Sequence, residues 1–240
     1  MNRRAAFLVA LKELRESLNS PMPYVFFGTF FLIEGWFFTA SLFLNGQAVM
    51  DDFFVGLPML LAFFLPAFTM RLFAEEYKTG TIEALSALPL KDGEIVLGKY
   101  LSALAAWGLM LAASLLYVFL LFLLGSPDAG GIAAAYLGAV LLGAFYASAG
   151  LFASSLTRSQ VVGFLTGFLF CFFFFLIGKA ALYTPGWPGA LMTFLGVDAH
   201  LSSFWRGVVD SRDVLYFLSG TVLFLAATLA SFNSRRWRSS

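Results

Sequence analysis

Val161-Val-Gly-Phe-Leu-Thr-Gly-Phe-Leu-Phe-Cys-Phe-Phe-Phe-Phe-Leu-Ile-Gly-Lys-Ala-Ala-Leu182 carries a single charge, Lys179, close to its end. A helix rises 1.5 Å per residue, so about 20 apolar residues cross the ~30 Å hydrocarbon core of a bilayer. The run is continuously apolar rather than alternating, which excludes a strand of a membrane barrel. Five more stretches share its character, at about 24–44, 53–73, 99–124, 132–156 and 213–233. In hydrocarbon the backbone must satisfy its own hydrogen bonds, so each stretch is expected to be a helix. The expected fold class is all-α: a polytopic membrane protein with six transmembrane helices and the lipid bilayer as its solvent.

Composition points the same way. Of 240 residues, 60% are hydrophobic, 12% are charged and 30 are Phe. A soluble domain carries roughly 25% charged residues, and half that level cannot cover a water-facing surface. The net charge of +1 argues against nucleic acid as a partner. The one cysteine, Cys171, permits no internal disulfide and stands too far from other ligands for a metal site. With no defensible repeat and no low-complexity linker, 1–240 reads as a single domain.

The basic residues set the orientation. Arg3, Arg4, Lys12 and Arg15 precede the first span. Arg71, Lys78, Lys91 and Lys99 surround the second loop, Arg158 follows the fourth span, and Arg235, Arg236 and Arg238 lie in the tail. Only Lys179, Arg206 and Arg212 fall on the other side. The positive-inside rule then places both termini in the cytoplasm. Residues 1–20 contain Glu13 and Glu16 among the bases and lack a signal-peptide pattern, so the first span is read as uncleaved. Phe7, Leu8, Leu11, Leu14 and Leu18 recur at helical spacing, which predicts a short amphipathic helix at the interface, ended by Pro21 and Pro23. The outer loop 183–212 opens on Pro185-Gly-Trp-Pro188 and carries two short apolar stripes, predicting one or two interfacial or re-entrant helices.

Residues 74–98 are the most informative polar segment. They include Glu75, Glu76, Gly80, Thr81, Glu83, Pro89, Glu94 and Gly98, with Lys99 next. Thr81 suits a helix N-cap, a short helix over Glu83 and its successors would end before Pro89, and the next helix would begin near Asp92 or Gly93. On chemistry alone the segment is either a docking element or an ordinary solvated hairpin. It resembles the coupling region of ABC-2-type permeases, whose pattern is roughly E-x-x-x-G-T-I-E-x-L-x-x-x-P followed by G-K at the next helix. Glu76, Gly80, Thr81, Ile82, Glu83, Leu85, Pro89, Gly98 and Lys99 occupy those positions. Lys12-Glu-Leu-Arg15 with Ser20-Pro21 resembles the start of the same family. His200, Leu201, Arg206-Gly-Val-Val-Asp210, Asp213 and Tyr216-Phe217 resemble its gliding-motility-associated branch.

The resemblance implies an ABC-2-type (type V exporter-like) fold in a bacterial inner membrane, working as a homo- or heterodimer of permease subunits. Separate ABC ATPase subunits would dock on the short helix after the second span. ATP and magnesium would be bound there, and no cofactor by this chain. Glu75, Glu76, Gly80, Thr81, Glu83 and Pro89 are the candidate docking residues, and Glu94, Gly98 and Lys99 would set the geometry of the next helix. Gly93-Glu-Ile-Val-Leu-Gly-Lys99 imitates the start of a P-loop, but Tyr100 lacks the hydroxyl that holds magnesium there, and Ile95, Val96 and Leu97 are too bulky to cradle phosphate.

Glu34 lies midway along the first span. A carboxylate at that depth is expensive and should face the bundle interior or a water-filled path; it is either a transport-path residue or a neutral group that fixes packing. Small residues at Ala135, Ala139, Gly143, Ala147, Gly150 and Ser154, and at Gly163 and Gly167, permit close helix approach, within the bundle or between subunits. His200 is the only histidine. It is expected to orient the outer loop, with Arg206, Gly207 and an aspartate such as Asp198, Asp210 or Asp213. Two other classes stay open. An intramembrane serine protease would pair Ser148 with His200, and an ion-driven carrier would use Glu34 as a proton site.

Overall fold

The computed structural model describes residues 3–44, 50–82 and 90–239. Among them are ten helices of nine residues or more, and no strand. They are α1 (Arg3–Leu18), α2 (Met22–Leu44), α3 (Asp51–Thr69), α4 (Arg71–Thr79), α5 (Asp92–Leu124), α6 (Ala129–Ser155), α7 (Gln160–Ala181), α8 (Trp187–Leu195), α9 (Val197–Trp205) and α10 (Ser211–Ser239). Six helical stretches are long and apolar enough to cross a membrane, with α3 and α4 together forming the second of them, Phe53–Thr79.

The spans divide by burial: Phe53–Thr79 and α6 are two-thirds buried, and the other four are 17–28% buried. α6 is rich in Ala and Gly and forms the central spine, touching α3, α4, α5, α7, α9 and α10. Two thirds of its span is buried, against 17% for the Phe-rich α7. This follows from the solvent. In lipid an apolar side chain gains little by leaving the surface, so the interior goes to residues that let backbones approach. At Gly143 the indole of Trp107 lies where a side chain would stand, and its Nε1 donates to Ala139 O at 3.1 Å. Gly163, Gly167 and Cys171 form the buried edge of α7. The small-residue stripes therefore pack within the bundle.

Residues 74–98 were expected to stand outside the spans. Instead α4 continues the second span through Thr79; α5 starts at Asp92, where the next helix was expected to begin. Met70, between α3 and α4, keeps helical dihedrals (φ −54°, ψ −30°). Its carbonyl accepts from Ser154 Oγ at 2.8 Å, and the same hydroxyl accepts from the amides of Phe73 and Ala74 at 3.1 Å each. One serine of α6 thus satisfies the backbone where the helix is interrupted, as an apolar surround requires. Glu83 and Pro89 lie outside the described residues, as does the body of the short helix expected after Thr81. Thr81 and Ile82 are themselves helical, so the structure places Thr81 inside the helix start that it was expected to cap.

Helix α1 lies across the start of α5. The apolar stripe predicted for it is real, but Phe7, Leu8 and Leu11 point away from the protein at 53–65% exposure, as suits a bilayer interface. The opposite edge, Ala6, Val9, Ala10 and Glu13, makes the protein contact. The two helices predicted within 183–212 are α8 and α9; Val197, Leu201 and Phe204 of α9 are buried, with Phe204 against Gly138 of α6.

Candidate functional site

The polar groups of residues 74–98 converge with α1 rather than standing alone. Lys99, in the second turn of α5, is completely buried. Its Nζ lies 2.8 Å from Glu13 Oε1 of α1 and 2.7 Å from Glu76 Oε1 of α4, and 5.3 Å from the centre of the Phe73 ring. A buried ammonium is costly unless it is paired and hydrogen-bonded. Two carboxylates and an aromatic face supply that here. Gly98 explains how the helices come close enough. A Cβ at that position would stand 2.6 Å from Val9 and 2.9 Å from the carbonyl of Ala6. The Gly98-Lys99 pair is thus one device: the glycine lets α1 cross α5, and the lysine locks the crossing to α4.

Two further contacts frame it. Glu94 Oε2 accepts the Lys91 amide at 3.1 Å, capping α5. Arg71 donates from Nε to Glu75 Oε2 at 3.1 Å and from Nη1 to Ser20 Oγ at 3.2 Å, tying α4 to the α1–α2 link. α4 ends at Gly80, whose φ of 76° is the left-handed conformation of a helix C-terminus. The Thr79 and Thr81 hydroxyls lie 2.9 Å apart across it.

Between α1 and α4 an open groove of about 700 Å³ results. Lys12, Glu13, Glu16, Arg71, Glu75 and Glu76 line it, with Thr79 and Thr81 at its margin. Of the residues predicted from sequence, the structure brings Glu75, Glu76 and Thr81 to this groove, with Gly80 beside them. Gly98 and Lys99 lie beneath it, and Glu94 at the head of α5. Glu13 and Arg71 were missed as site residues. The available signal was the small-residue edge of α1, with a lone acid where an alanine would have served packing.

At the opposite end, His200 Nδ1 lies 2.8 Å from Asp213 Oδ1 and Nε2 lies 2.9 Å from the Phe194 carbonyl. The ring stacks on Tyr216 with centroids 3.9 Å apart, and Ser203 donates to Asp213 Oδ2. Of the three aspartates considered, Asp213 is the partner. Asp198 pairs with Lys179 at 2.8 Å, and Asp210 accepts the Arg212 amide at 2.9 Å. Arg206 donates to Ser202 O at 3.0 Å, and Gly207 takes a positive φ of 79° to end α9. Asp213 separates Ser203 from His200, so the trio lacks the serine–histidine contact of a hydrolase. Ser148, the other nucleophile considered, is buried and donates to Phe145 O at 2.6 Å.

Glu34 is fully buried on the edge of α2 that carries Phe30 and Phe38. Among the described residues neither of its oxygens has a hydrogen-bond partner. The nearby Tyr117 hydroxyl donates to Phe31 O at 3.0 Å instead.

The family described as "ABC-2 family transporter protein" matches residues 7–236. The chain belongs to the ABC-2 transporter family. No curated protein matches it. The match starts inside α1 and ends in α10, so it takes in the groove, the Lys99 cluster and all six candidate spans. ABC-2 membership makes the chain a multi-pass membrane component of an ABC transporter, a family that works with an ABC ATPase subunit.

Proposed function

We propose that this ABC-2 chain is the permease subunit of an exporter in a bacterial inner membrane, with both termini in the cytoplasm. A separate ATPase docks on the groove between α1 and α4. The observation that carries this reading is the buried Lys99 bridging Glu13 and Glu76. It joins the interfacial helix, the end of the second span and the start of the third into one body directly beneath the groove. A partner that pushes on such a body moves two spans together, which is how rigid-body rocking is driven. ATP and magnesium belong to the ATPase. The permease works as a homo- or heterodimer, and Glu75, Glu76, Gly80, Thr81, Glu83 and Pro89 contribute to docking. Placement in the gliding-motility-associated branch rests on sequence resemblance alone, over residues 200–217.

The test is purification in gentle detergent with mass spectrometry of associated chains, followed by ATPase and transport assays. A stoichiometric P-loop ATPase is expected. Glu83→Lys, or a bulky residue at Gly80, should uncouple hydrolysis from transport while the protein still inserts. Unchanged coupling in both variants would remove the docking assignment.

Glu34 has a separate place in the proposal, as a residue of the transport path. What supports it is a buried carboxylate with no partner among the described residues, and so with capacity to bind one. Full transport by Glu34→Gln would end that reading. Flux that persists without ATP and collapses with the proton gradient would favour an ion-driven carrier instead.

A further inference from the structure

A second recess, of about 440 Å³, opens at the α4 end of the bundle. Lys78 of α4, Thr157, Arg158 and Ser159 of the α6–α7 turn, and Gln160 and Val161 at the start of α7 line it, and none of the six is acidic. Lys78 and Arg158 are exposed, and among the described residues neither makes an ion pair or a side-chain hydrogen bond. They reach the recess from two separate elements, and no acidic side chain among the described residues pairs with either. Two hydroxyls add to them. Ser159 precedes α7 but makes no side-chain cap. Thr157 Oγ1 accepts the Ser159 amide at 3.0 Å, which leaves its own proton to donate. This donor set, two cations and two hydroxyls around an open recess, suits a phosphate group.

The chemistry alongside identifies what carries the phosphate. Val161, Leu165, Leu169, Phe173 and Leu176 are 46–66% exposed and follow one another at intervals of four, four, four and three. They therefore form a single stripe along α7. Its opposite edge, at Gly163, Gly167 and Cys171, is the buried one. The stripe begins at Val161, which is also a wall of the recess. A phosphate site that runs directly into an apolar track along a membrane span matches a phospholipid; a free anion or an acidic protein surface would leave the track unused.

We propose that this recess and stripe bind one anionic phospholipid, with its phosphate at Lys78 and Arg158 and an acyl chain along Val161, Leu165 and Leu169. The delipidated chain in detergent is titrated with dioctanoyl-phosphatidylglycerol, dioctanoyl-phosphatidylcholine or inorganic phosphate, and its Tm is followed. A saturable rise with phosphatidylglycerol is expected, with a half-saturation well below that of phosphatidylcholine, and no rise with inorganic phosphate. In K78Q/R158Q the half-saturation should weaken by roughly tenfold or more, since each cation near an anionic headgroup contributes about a factor of five. The Tm without lipid should stay the same, because both side chains are exposed. Val161→Glu, which places a carboxylate in the recess, should reproduce the loss.

Equal responses to the two lipids, or an unchanged response in K78Q/R158Q, would overturn the proposal. A saturable rise with inorganic phosphate equal to that with the lipid would assign the recess to a free anion instead. Loss of a bound protein partner in K78Q/R158Q, with the lipid response intact, would assign it to an acidic protein surface.

Discussion

The two ends of the bundle each fasten short helices to long spans with a small charged cluster, but the clusters are built on different terms. At the α4 end, Lys99 is buried between two carboxylates and a phenylalanine ring, and it ties together three helices far apart in sequence. At the other end, His200 and Ser203 both meet Asp213, at the border of the buried region, and most of the bonds are local to residues 194–216. A buried ion cluster is nearly neutral as a whole and very costly to break by halves. A half-buried, local cluster tolerates loss of a member, because water replaces the missing bond. The first arrangement suits a part that must move as one piece, and the second suits a cover that only needs to stay closed.

The contrast is broken most directly at Lys99. Lys99→Met strands two carboxylates and should cost about 3–5 kcal/mol, read as a large fall in Tm in detergent. The triple variant Glu13→Gln, Lys99→Met, Glu76→Gln should recover most of that loss. If it is no better than the single variant, the cluster is not acting as an ion cluster. Next in size is Gly98→Leu, which drives a side chain into Val9 and the Ala6 carbonyl. It should free α1 while the spans stay folded, seen as fast hydrogen exchange over residues 3–18 alone. At the other end, Asp213→Ala removes the acceptor shared by His200 and Ser203, at about 1–3 kcal/mol. His200→Ala should cost less, about 1 kcal/mol, and the reverse order would show that the ring stacking on Tyr216 outweighs the carboxylate. The smallest effect belongs to Lys12→Gln. Its partner Glu16 is 3.6 Å away and both side chains are more than half exposed, so the Tm change should correspond to about 0.5 kcal/mol or less.

The spans were legible in the sequence because bilayer thickness imposes a length and a composition that few other structures share. The arrangement of those spans was much less so. Hydropathy ranks α7 above α6, yet α6 is the spine, because its Ala and Gly residues let the neighbouring backbones approach. The stripe from Ala135 to Ser154 carried that information, but that it packs within the bundle depends on Trp107, Pro66 and Thr69, distant in sequence, closing on Gly143 and Gly150. The second span looked shorter than it is because Glu75, Glu76 and Lys78 end the apolar window. The helix continues through them because Lys99, 23 positions on from Glu76, neutralises the one that turns inward. The α1 stripe was visible as an amphipathic pattern, and its lipid-facing role agrees with its exposure. The protein-facing edge was not, since Ala6, Val9 and Ala10 read as filler until Gly98 is seen beneath them.

The Lys99 cluster also constrains how this chain can vary over evolutionary time. Glu13, Glu76 and Lys99 lie in three different helices, and a change at any one leaves the others without a partner they are packed against. Single substitutions there should be selected against, and joint replacement by apolar residues tolerated. Across homologues positions 13, 76 and 99 should therefore be kept together or exchanged together, with position 98 confined to the smallest residues whenever α1 remains in place. An alignment in which the three vary independently would mean that the cluster is an accident of this chain, and not the fastening that holds its first helix to its second and third spans.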